Sequence, residues 1–169
     1  HDATNGLKLG GVLVAATAAE INGAVDLSAR YALAGSTLSV TSALHNGRVV
    51  KLDTASGSVC TLPAATGSGM KVKFVISVLA TSNSHVVKVA NASDTMQGLI
   101  LTMGDAPADC QAFAAIAGTS DTITLNRTTT GSVTIGEWIE VEDFAANRWH
   151  VTGVTSSTGT EATPFSATV

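Results

Sequence analysis

The sequence has few aromatic residues and few charged ones. Aromatic residues make up 4% of the chain and charged residues 13%, and the charged share is about half that of an ordinary soluble domain. The nine Lys and Arg residues are scattered, and the formal net charge is −4. This argues against nucleic-acid binding, because phosphate recognition needs a dense basic stripe. A surface with so little charge favours burial of part of it against other subunits.

Cysteines are few, and long apolar runs are missing. Cys60 and Cys110 lie far apart in the sequence, and two isolated cysteines do not form a disulfide framework. We therefore expect two buried free thiols, which favours assembly in a reducing cytoplasm. No apolar run is long enough to span a bilayer, and we expect no membrane partner.

Motifs for catalysis and metal binding are also missing. The four histidines have no zinc-ligand spacing; they are His1, His45, His85 and His150. Glu137, Glu140, Glu142 and Asp143 form a local acidic patch, but alternation along a strand brings at most two of these carboxylates to one face. Neither a calcium site nor a glycosidase pair is indicated. We predict a protein without enzymatic activity, cofactor or metal.

The stretch from Ile135 to Val154 predicts a long antiparallel hairpin around which the rest of the chain is organised. Apolar residues of one parity alternate there with polar residues of the other. Asn147 suits the left-handed position that closes its turn. Trp149 is predicted to anchor the core, and Trp138, on the opposite parity, is a candidate trimer or surface contact. His150 is predicted to lie across from Glu140 or Glu142 as a cross-strand polar pair.

The rest of the chain after residue 35 also has the pattern of β-strands. Residues 38–53 predict two strands joined by a hairpin at Asn46-Gly47, and residues 70–78 predict a strand with five large apolar residues on one parity. Further strands are predicted at 58–62, 85–90, 96–103, 110–116, 122–125 and 163–169. About ten strands separated by turn signals favour a sandwich. We predict an all-β fold, an antiparallel β-sandwich over residues 36–169, with a jelly roll as one candidate topology.

Residues 1–35 differ from this pattern and predict an extended N-terminal arm. Their apolar residues are poorly periodic, and several glycines weaken any long element, although residues 15–23 predict a short helix. We expect the arm to lie along a neighbouring subunit; the alternative is an edge strand of its own domain. Its candidate partner-contact residues are Leu7, Leu9, Val12, Leu13, Val14, Ile21 and Tyr31.

Three stretches resemble structural proteins of tailed-bacteriophage virions. Residues 17–23, TAAEING, are similar to a T-x-x-E-L/I-N segment near the N termini of many phage head-fibre, decoration and tail-fibre proteins. Residues 59–69, VCTLPAATGSG, resemble a T-L-P-A-A-T-G-S-G segment of small phage structural proteins. Residues 120–151 are similar to these proteins more generally. Together the three stretches comprise 50 of the 169 residues.

The resemblance is strongest to capsid decoration proteins, also called cement proteins. These are typically β-rich trimers on the outside of the head that clamp neighbouring major capsid protein subunits. The resemblance therefore implies a homotrimer that is assembled in the host cytoplasm, binds the major capsid protein and lies on the capsid exterior. The arm would bind through buried apolar area and strand addition, and three linked copies would add avidity.

Two alternatives remain open. A tail-fibre or receptor-binding domain would recognise a host surface glycan, and Trp138 is the candidate for stacking on a sugar ring. A carbohydrate-active enzyme is the other alternative, although the sequence offers no acid/base pair for it.

Overall fold

The computed structural model describes residues 8–9, 12–14, 16–25, 30–106 and 109–169. The first elements in this part of the chain are β1 (Lys8–Leu9), β2 (Val12–Leu13), α1 (Ala18–Val25), β3 (Tyr31–Leu33), β4 (Thr37–Ser39) and α2 (Ser42–His45). They are followed by β5 (Arg48–Leu52), β6 (Val59–Thr61), β7 (Lys71–Ile76), β8 (His85–Lys88) and β9 (Thr95–Met103). The last are β10 (Cys110–Ala114), β11 (Thr122–Leu125), β12 (Trp138–Ala145), β13 (Arg148–Ser156) and β14 (Phe165–Ser166).

Two sheets pack face to face, which confirms the predicted β-sandwich. The larger sheet has seven strands in the order β10-β9-β13-β12-β7-β5-β3. The smaller sheet has five strands in the order β14-β11-β8-β6-β4. Strands β1 and β2 form a separate two-stranded sheet that is joined to neither of them.

Both large sheets are mixed, and in this respect the prediction of an antiparallel sandwich was wrong. Strands β3, β5 and β7 are parallel neighbours in the larger sheet, and β4, β6 and β8 are parallel neighbours in the smaller one. From β3 to β8 the chain alternates between the two sheets and so returns to each sheet in the same direction. Turn signals mark where a strand ends, but they do not show which sheet the next strand joins. The jelly-roll topology is not confirmed.

The predicted hairpin at Asn46-Gly47 is a turn between strands of different sheets. Asn46 has φ −60° and ψ 127° and Gly47 has φ 71°, which are the angles of a type II turn. A two-residue type I′ hairpin turn needs positive φ at both central positions. The residues before this turn form α2 instead of a strand, and Leu44 in that helix is 60% exposed rather than inward-facing.

The hairpin of β12 and β13 has the predicted form. Its register places Glu142 opposite His150, and Asn147 at the turn has φ 61°. Trp149 is fully buried, as predicted. The glycine on the neighbouring strand, Gly98, has φ 126°, and a Cβ there would overlap the carbonyl oxygen of Val151, so only glycine allows β9 to lie this close to β13.

The core lies between the sheets, and one row of register partners crosses the whole inner face of the larger sheet. The row consists of Ala32, Val50, Phe74, Ile139, Gly153, Ile100 and Phe113. The smaller sheet contributes Cys60, Val87 and Ile123 from the opposite side. Of the five apolar residues predicted on one parity of β7 and its flanks, four are buried, whereas Val78 is 36% exposed.

Near the N terminus, α1 begins with a capping box. The backbone N–H of Thr17 donates to the carboxylate of Glu20 at 2.7 Å, and the backbone N–H of Glu20 donates to the hydroxyl of Thr17 at 3.2 Å. Two N–H groups that a helix leaves unpaired are thereby satisfied. The T-x-x-E part of the first phage-like segment therefore has a local structural role. Tyr31 lies in β3, so the larger sheet begins before residue 36.

Candidate functional site

Rows of register partners also cross the outer face of the larger sheet. We call the first row the apolar band; it consists of Leu33, Lys51, Val75, Trp138, Val154, Leu101 and Ala112. A second row runs beside it through Tyr31, Val49, Lys73, Glu140, Thr152, Leu99 and Ala114. Register partners share a face of the sheet. Six of the seven residues in the apolar band are therefore apolar neighbours on one continuous surface.

Large side chains of this face are open to solvent. Leu33 is 64% exposed, Leu99 47% and Leu101 39%. Met103, which is on the same parity of β9 as Leu99 and Leu101, is 45% exposed. Scattered apolar residues on a surface need no explanation, but a contiguous apolar patch marks an interaction site.

The outer face of the smaller sheet has a different character. The row of register partners across its middle consists of Ser39, Thr61, Lys88, Thr122 and Ser166. These are small or polar side chains, whereas the apolar band lies at the corresponding place on the other side of the sandwich. The neighbouring row on that face consists of Thr37, Val59, Val86 and Thr124, and its two valines are half-buried. The outer face of the larger sheet has the larger and more exposed apolar side chains, which makes it the better candidate for a dry contact.

Lysine side chains lie over two aromatic rings of the outer face, those of Trp138 and Tyr31. The ammonium nitrogen of Lys73 is 4.1 Å from the ring centre of Trp138, and that of Lys51 is 4.4 Å from the ring centre of Tyr31. Both distances are within the range of a cation–π interaction. Trp138 is half-buried and Lys73 covers one face of its ring, so a sugar that stacked on that face would have to displace the lysine.

The structure describes the predicted arm residues to different extents. Leu7 lies outside the described residues. Leu9, Val12 and Leu13 lie in β1 and β2. Val14 and Ile21 are half-buried, and Tyr31 is 61% exposed at the edge of the larger sheet. Among all these predicted contact residues, the structure brings Tyr31 and Trp138 onto one face.

The acidic patch is divided between the two faces as alternation predicted. Glu140 and Glu142 point outward, where Lys71 approaches them at 3.8 and 3.2 Å. Glu137 and Asp143 are buried. The Glu137 carboxylate accepts hydrogen bonds from three successive backbone N–H groups, at residues 132 to 134, and from the Ser156 hydroxyl.

Asp143 holds the loop between β6 and β7 in the same way. Its carboxylate accepts the backbone N–H groups of Thr66, Gly67 and Ser68 at 2.7 to 3.1 Å. Burial raises the pKa of this carboxyl, but hydrogen bonds from the Ser68 side chain and from the three N–H groups outweigh it and lower the pKa to about 2. Gly67 has φ 78°, a conformation that favours glycine. The second phage-like segment is thus a carboxylate-binding loop within the fold.

Two further carboxylates also fasten chain segments. Asp94 accepts hydrogen bonds from the backbone N–H of Ala65 and from the side chain of Asn91. Asp121 accepts the backbone N–H groups of the last two residues, Thr168 and Val169. These buried carboxylates, which are candidate catalytic groups by residue type, therefore have structural hydrogen-bond partners. Among the described residues, no group of three or more His, Cys, Asp and Glu residues could hold a metal ion.

Two of the histidines are buried in the described structure. His85 accepts the backbone N–H of Ser58 at its Nδ1 atom and donates from Nε2 to the carbonyl of Val78. Burial lowers the pKa of His85 and of His45. His150 is exposed and contacts the ring of Phe144 edge-on. As predicted, His150 lies opposite Glu142 in the register of the two strands.

The two cysteines are free but differ in exposure. Cys60 is fully buried, and burial, with the nearby charge of Asp53, raises the pKa of its thiol to about 12. Cys110 is exposed, so the prediction of two buried thiols was wrong for this residue. It lies on the edge strand β10 opposite Met103, on the outer face.

In comparisons with known proteins, no family model, no curated protein and no solved structure matches the chain. In the described part of the chain, no helix has the length and apolar character needed to cross a membrane.

The apolar band was missed in the sequence because strands with apolar residues on both parities do not alternate clearly. β9 has Met96 and Ile100 on its inner parity and Leu99, Leu101 and Met103 on its outer parity. Strands that are apolar on both parities are typical of sheets covered on both faces. The apolar residues on both parities of β9 were therefore the feature of the sequence that could have indicated an apolar outer face.

Proposed function

We propose that this protein is a non-enzymatic structural component of a tailed-bacteriophage virion. In this role it decorates and stabilises the capsid exterior by binding major capsid protein subunits through the outer face of the larger sheet. The observation that carries the proposal is the apolar band, which crosses all seven strands of the larger sheet, with Leu33 and Leu101 exposed and Trp138 half-buried. The three stretches that resemble phage virion proteins provide the virion context.

The chemistry of the face suits attachment to a protein shell. A flat sheet surface with Leu33, Leu101 and Trp138 can bury apolar area at about 25 cal/mol per Å². The charged residues of the second row, Lys73 and Glu140, lie beside the band and can set the orientation of the partner. Three copies in a homotrimer would make such a contact strong through avidity, even if each one alone were weak.

The buried carboxylates fit a rigid block better than a reactive site. Glu137 and Asp143 each bind several backbone N–H groups of a loop, which fixes the loops at both ends of β12. A decoration protein has to hold its binding surface in one shape on the shell. Loops that are already ordered before binding reduce the entropy cost of binding. No cofactor is needed for this role.

The experiment is cosedimentation of the purified protein with expanded phage heads that lack it. The matched variants are Leu101→Glu on the apolar band and Val86→Glu on the outer parity of the smaller sheet. We expect Leu101→Glu to abolish sedimentation with heads while Val86→Glu binds like the unchanged protein, both variants being folded by circular dichroism. Equal binding of the two variants would show that the outer face of the larger sheet is not the capsid-binding surface. Binding of the protein to host cells but not to heads would instead support a receptor-binding domain.

A further inference from the structure

The two large sheets end side by side in two short strands from one stretch of chain. β3 is the last strand of the larger sheet and β4 is the last strand of the smaller one. Within the described residues each is paired on one side only, β3 with β5 and β4 with β6. We call these two strands together the open edge.

Backbone groups of the open edge point away from the sandwich. In β3, the carbonyl of Arg30 and the N–H of Ala34 form hydrogen bonds of 2.9 Å with β5. Neighbouring residues of a strand direct their backbone groups to opposite sides. The same alternation applies to β4, where Ser36 and Val40 bond to β6. The residues whose backbone N–H and C=O groups point away from the neighbouring strand are therefore Tyr31, Leu33, Thr37 and Ser39.

Both strands of the open edge are only three residues long, which limits strand addition, but the edge lacks the other common protective features. Tyr31–Leu33 and Thr37–Ser39 contain neither proline nor a charged residue. Proline, inward-pointing charge and bulges are the common protective devices at edges. The side chains of Tyr31 and Leu33 are 61% and 64% exposed, so a strand added beside β3 would bury apolar surface as well as pair backbone groups.

A complementary element occurs near the N terminus of the same chain. Strands β1 and β2 pair only with each other, through Lys8 with Leu13 and Leu9 with Val12. A two-stranded hairpin by itself is at best marginally stable in water and needs a third strand or a packed face. It is followed by α1, which contacts α2, and α2 follows β4 directly in the sequence. The hairpin is thus tethered beside the open edge.

We propose that the hairpin β1–β2 of one copy pairs with the open edge of a second copy. Among the described residues of one chain, the hairpin and the edge do not pair with each other, and exchange between copies would satisfy both. The contact joins different surfaces of the two copies, so it closes into a ring when the rotation between copies allows it. A ring of three is the homotrimer proposed above. The inference rests on that assembly of identical copies and not on capsid binding.

Cross-linking between two single-cysteine variants tests the pairing. Val12→Cys and Leu33→Cys are each made in the full chain with Cys110→Ser; the buried Cys60 remains. The two variants are refolded together and treated with a short bismaleimide. The expected product is a covalent heterodimer with one chain of each variant. In the control, Ile116→Cys replaces Leu33→Cys, because Ile116 is 66% exposed and follows β10 at the opposite side of the larger sheet.

Each other outcome rejects the pairing. A heterodimer yield equal to that of the Ile116→Cys control would show that the hairpin does not reach the edge. Cross-linked dimers of Leu33→Cys alone would show that the edge pairs with itself. A doubly substituted chain that gives only a cyclised monomer would show that the hairpin binds its own edge.

A charge at the edge provides a second measurement that does not depend on cross-linking. Leu33→Lys should raise the concentration needed for association by roughly tenfold or more, whereas Ile116→Lys should leave it unchanged. Equal association of the two variants contradicts the proposal. Neither experiment contains heads. If the edge pairing is absent in these experiments but the unchanged protein cosediments with heads, only this inference is rejected. If the edge pairing is present but the protein does not bind heads, only the proposed function is rejected.

Discussion

The hydroxyl of Ser68 donates a hydrogen bond of 2.6 Å to the carboxylate of Asp143, although 75 residues separate the two in the sequence. Ser68 also donates its backbone N–H to the same carboxylate at 3.0 Å. The contact joins the loop before β7 to the end of β12. It fixes the end of the hairpin on which the outer face of the larger sheet depends.

Neutralising this carboxylate should destabilise the fold. In Asp143→Asn an NH₂ group replaces one acceptor oxygen and faces backbone donors, so we expect the free energy of unfolding to fall by about 2 kcal/mol or more. The control is Glu140→Gln, which removes an exposed carboxylate from the same strand and should change stability by less than about 0.5 kcal/mol. Urea denaturation of both variants measures this, and equal midpoints would contradict the role of Asp143.

Asp143 also predicts a loss of stability in strong acid. Its pKa is lowered from 3.8 to about 2 in the folded protein. A carboxyl with a lowered folded pKa stabilises the protein above its unfolded pKa, and this contribution is lost as the pH falls through the folded pKa. The melting temperature of the unchanged protein should therefore drop from about pH 4 to about pH 2 more steeply than that of Asp143→Asn. Parallel curves would show that the carboxylate is not held as described.

His85 predicts a second, milder pH dependence. Its pKa is lowered below 6.5 by burial, which outweighs the hydrogen bond to Val78 and the charges of Asp53 and Glu137. Because the unfolded chain binds the proton more readily, stability is complete above about pH 6.5 and falls as the pH decreases below it. The slope is at most about 1.4 kcal/mol per pH unit for one proton.

The variant that tests this is His85→Gln, with exposed His150→Gln as its control. We expect the first to flatten the decline in melting temperature between about pH 7 and about pH 5, while His45, which has the same direction of shift, maintains part of it. If His150→Gln flattened the curve instead, the titrating group would be on the surface.

Trp149 should contribute more to stability than Trp138. Trp149 is fully buried, so replacement by alanine should cost about 3–5 kcal/mol. Its Nε1 atom has no hydrogen-bond partner among the described residues, and Trp149→Phe should therefore cost less, because no hydrogen bond is lost. Trp138→Ala should cost about 1 kcal/mol, since that ring is only half-buried. Thermal unfolding of the three variants measures these losses. A larger loss for Trp138→Ala than for Trp149→Ala would show that the register of the hairpin is wrong.

The two thiols should react at different rates. Cys110 is exposed, and Cys60 is buried with a pKa raised to about 12. One thiol should therefore react with a maleimide in the folded protein and the second only after unfolding. Mass spectrometry counts the labels, and Cys110→Ser should remove the fast one. Two fast labels would mean that the smaller sheet opens readily around Cys60.

Local, periodic features of this fold could be predicted from the sequence. The β12–β13 hairpin, the left-handed Asn147 and the buried Trp149 all follow from alternation over neighbouring residues and from turn chemistry. The strand at Lys71–Ile76 was predictable for the same reason. Such features depend on contacts between residues close in the sequence.

Features that depend on distant partners could not be predicted. The parallel pairing of β5 with β7 depends on which sheet each strand joins, and turn residues do not encode that choice. The carboxylate-binding role of the loop at Thr66–Gly69 could not be predicted, because its partner, Asp143, lies in a distant strand. The apolar outer face of the larger sheet could not be predicted, because β9 is apolar on both parities and neither parity could be assigned to solvent.

The most direct measurement is a cryo-electron microscopy map of expanded heads decorated with the purified protein. If the protein is a decoration protein that docks through the apolar band, the larger sheet will face the shell, with Leu101 and Trp138 against major capsid protein subunits. A map in which the smaller sheet faces the shell, or in which heads remain bare at saturating protein, would contradict that function.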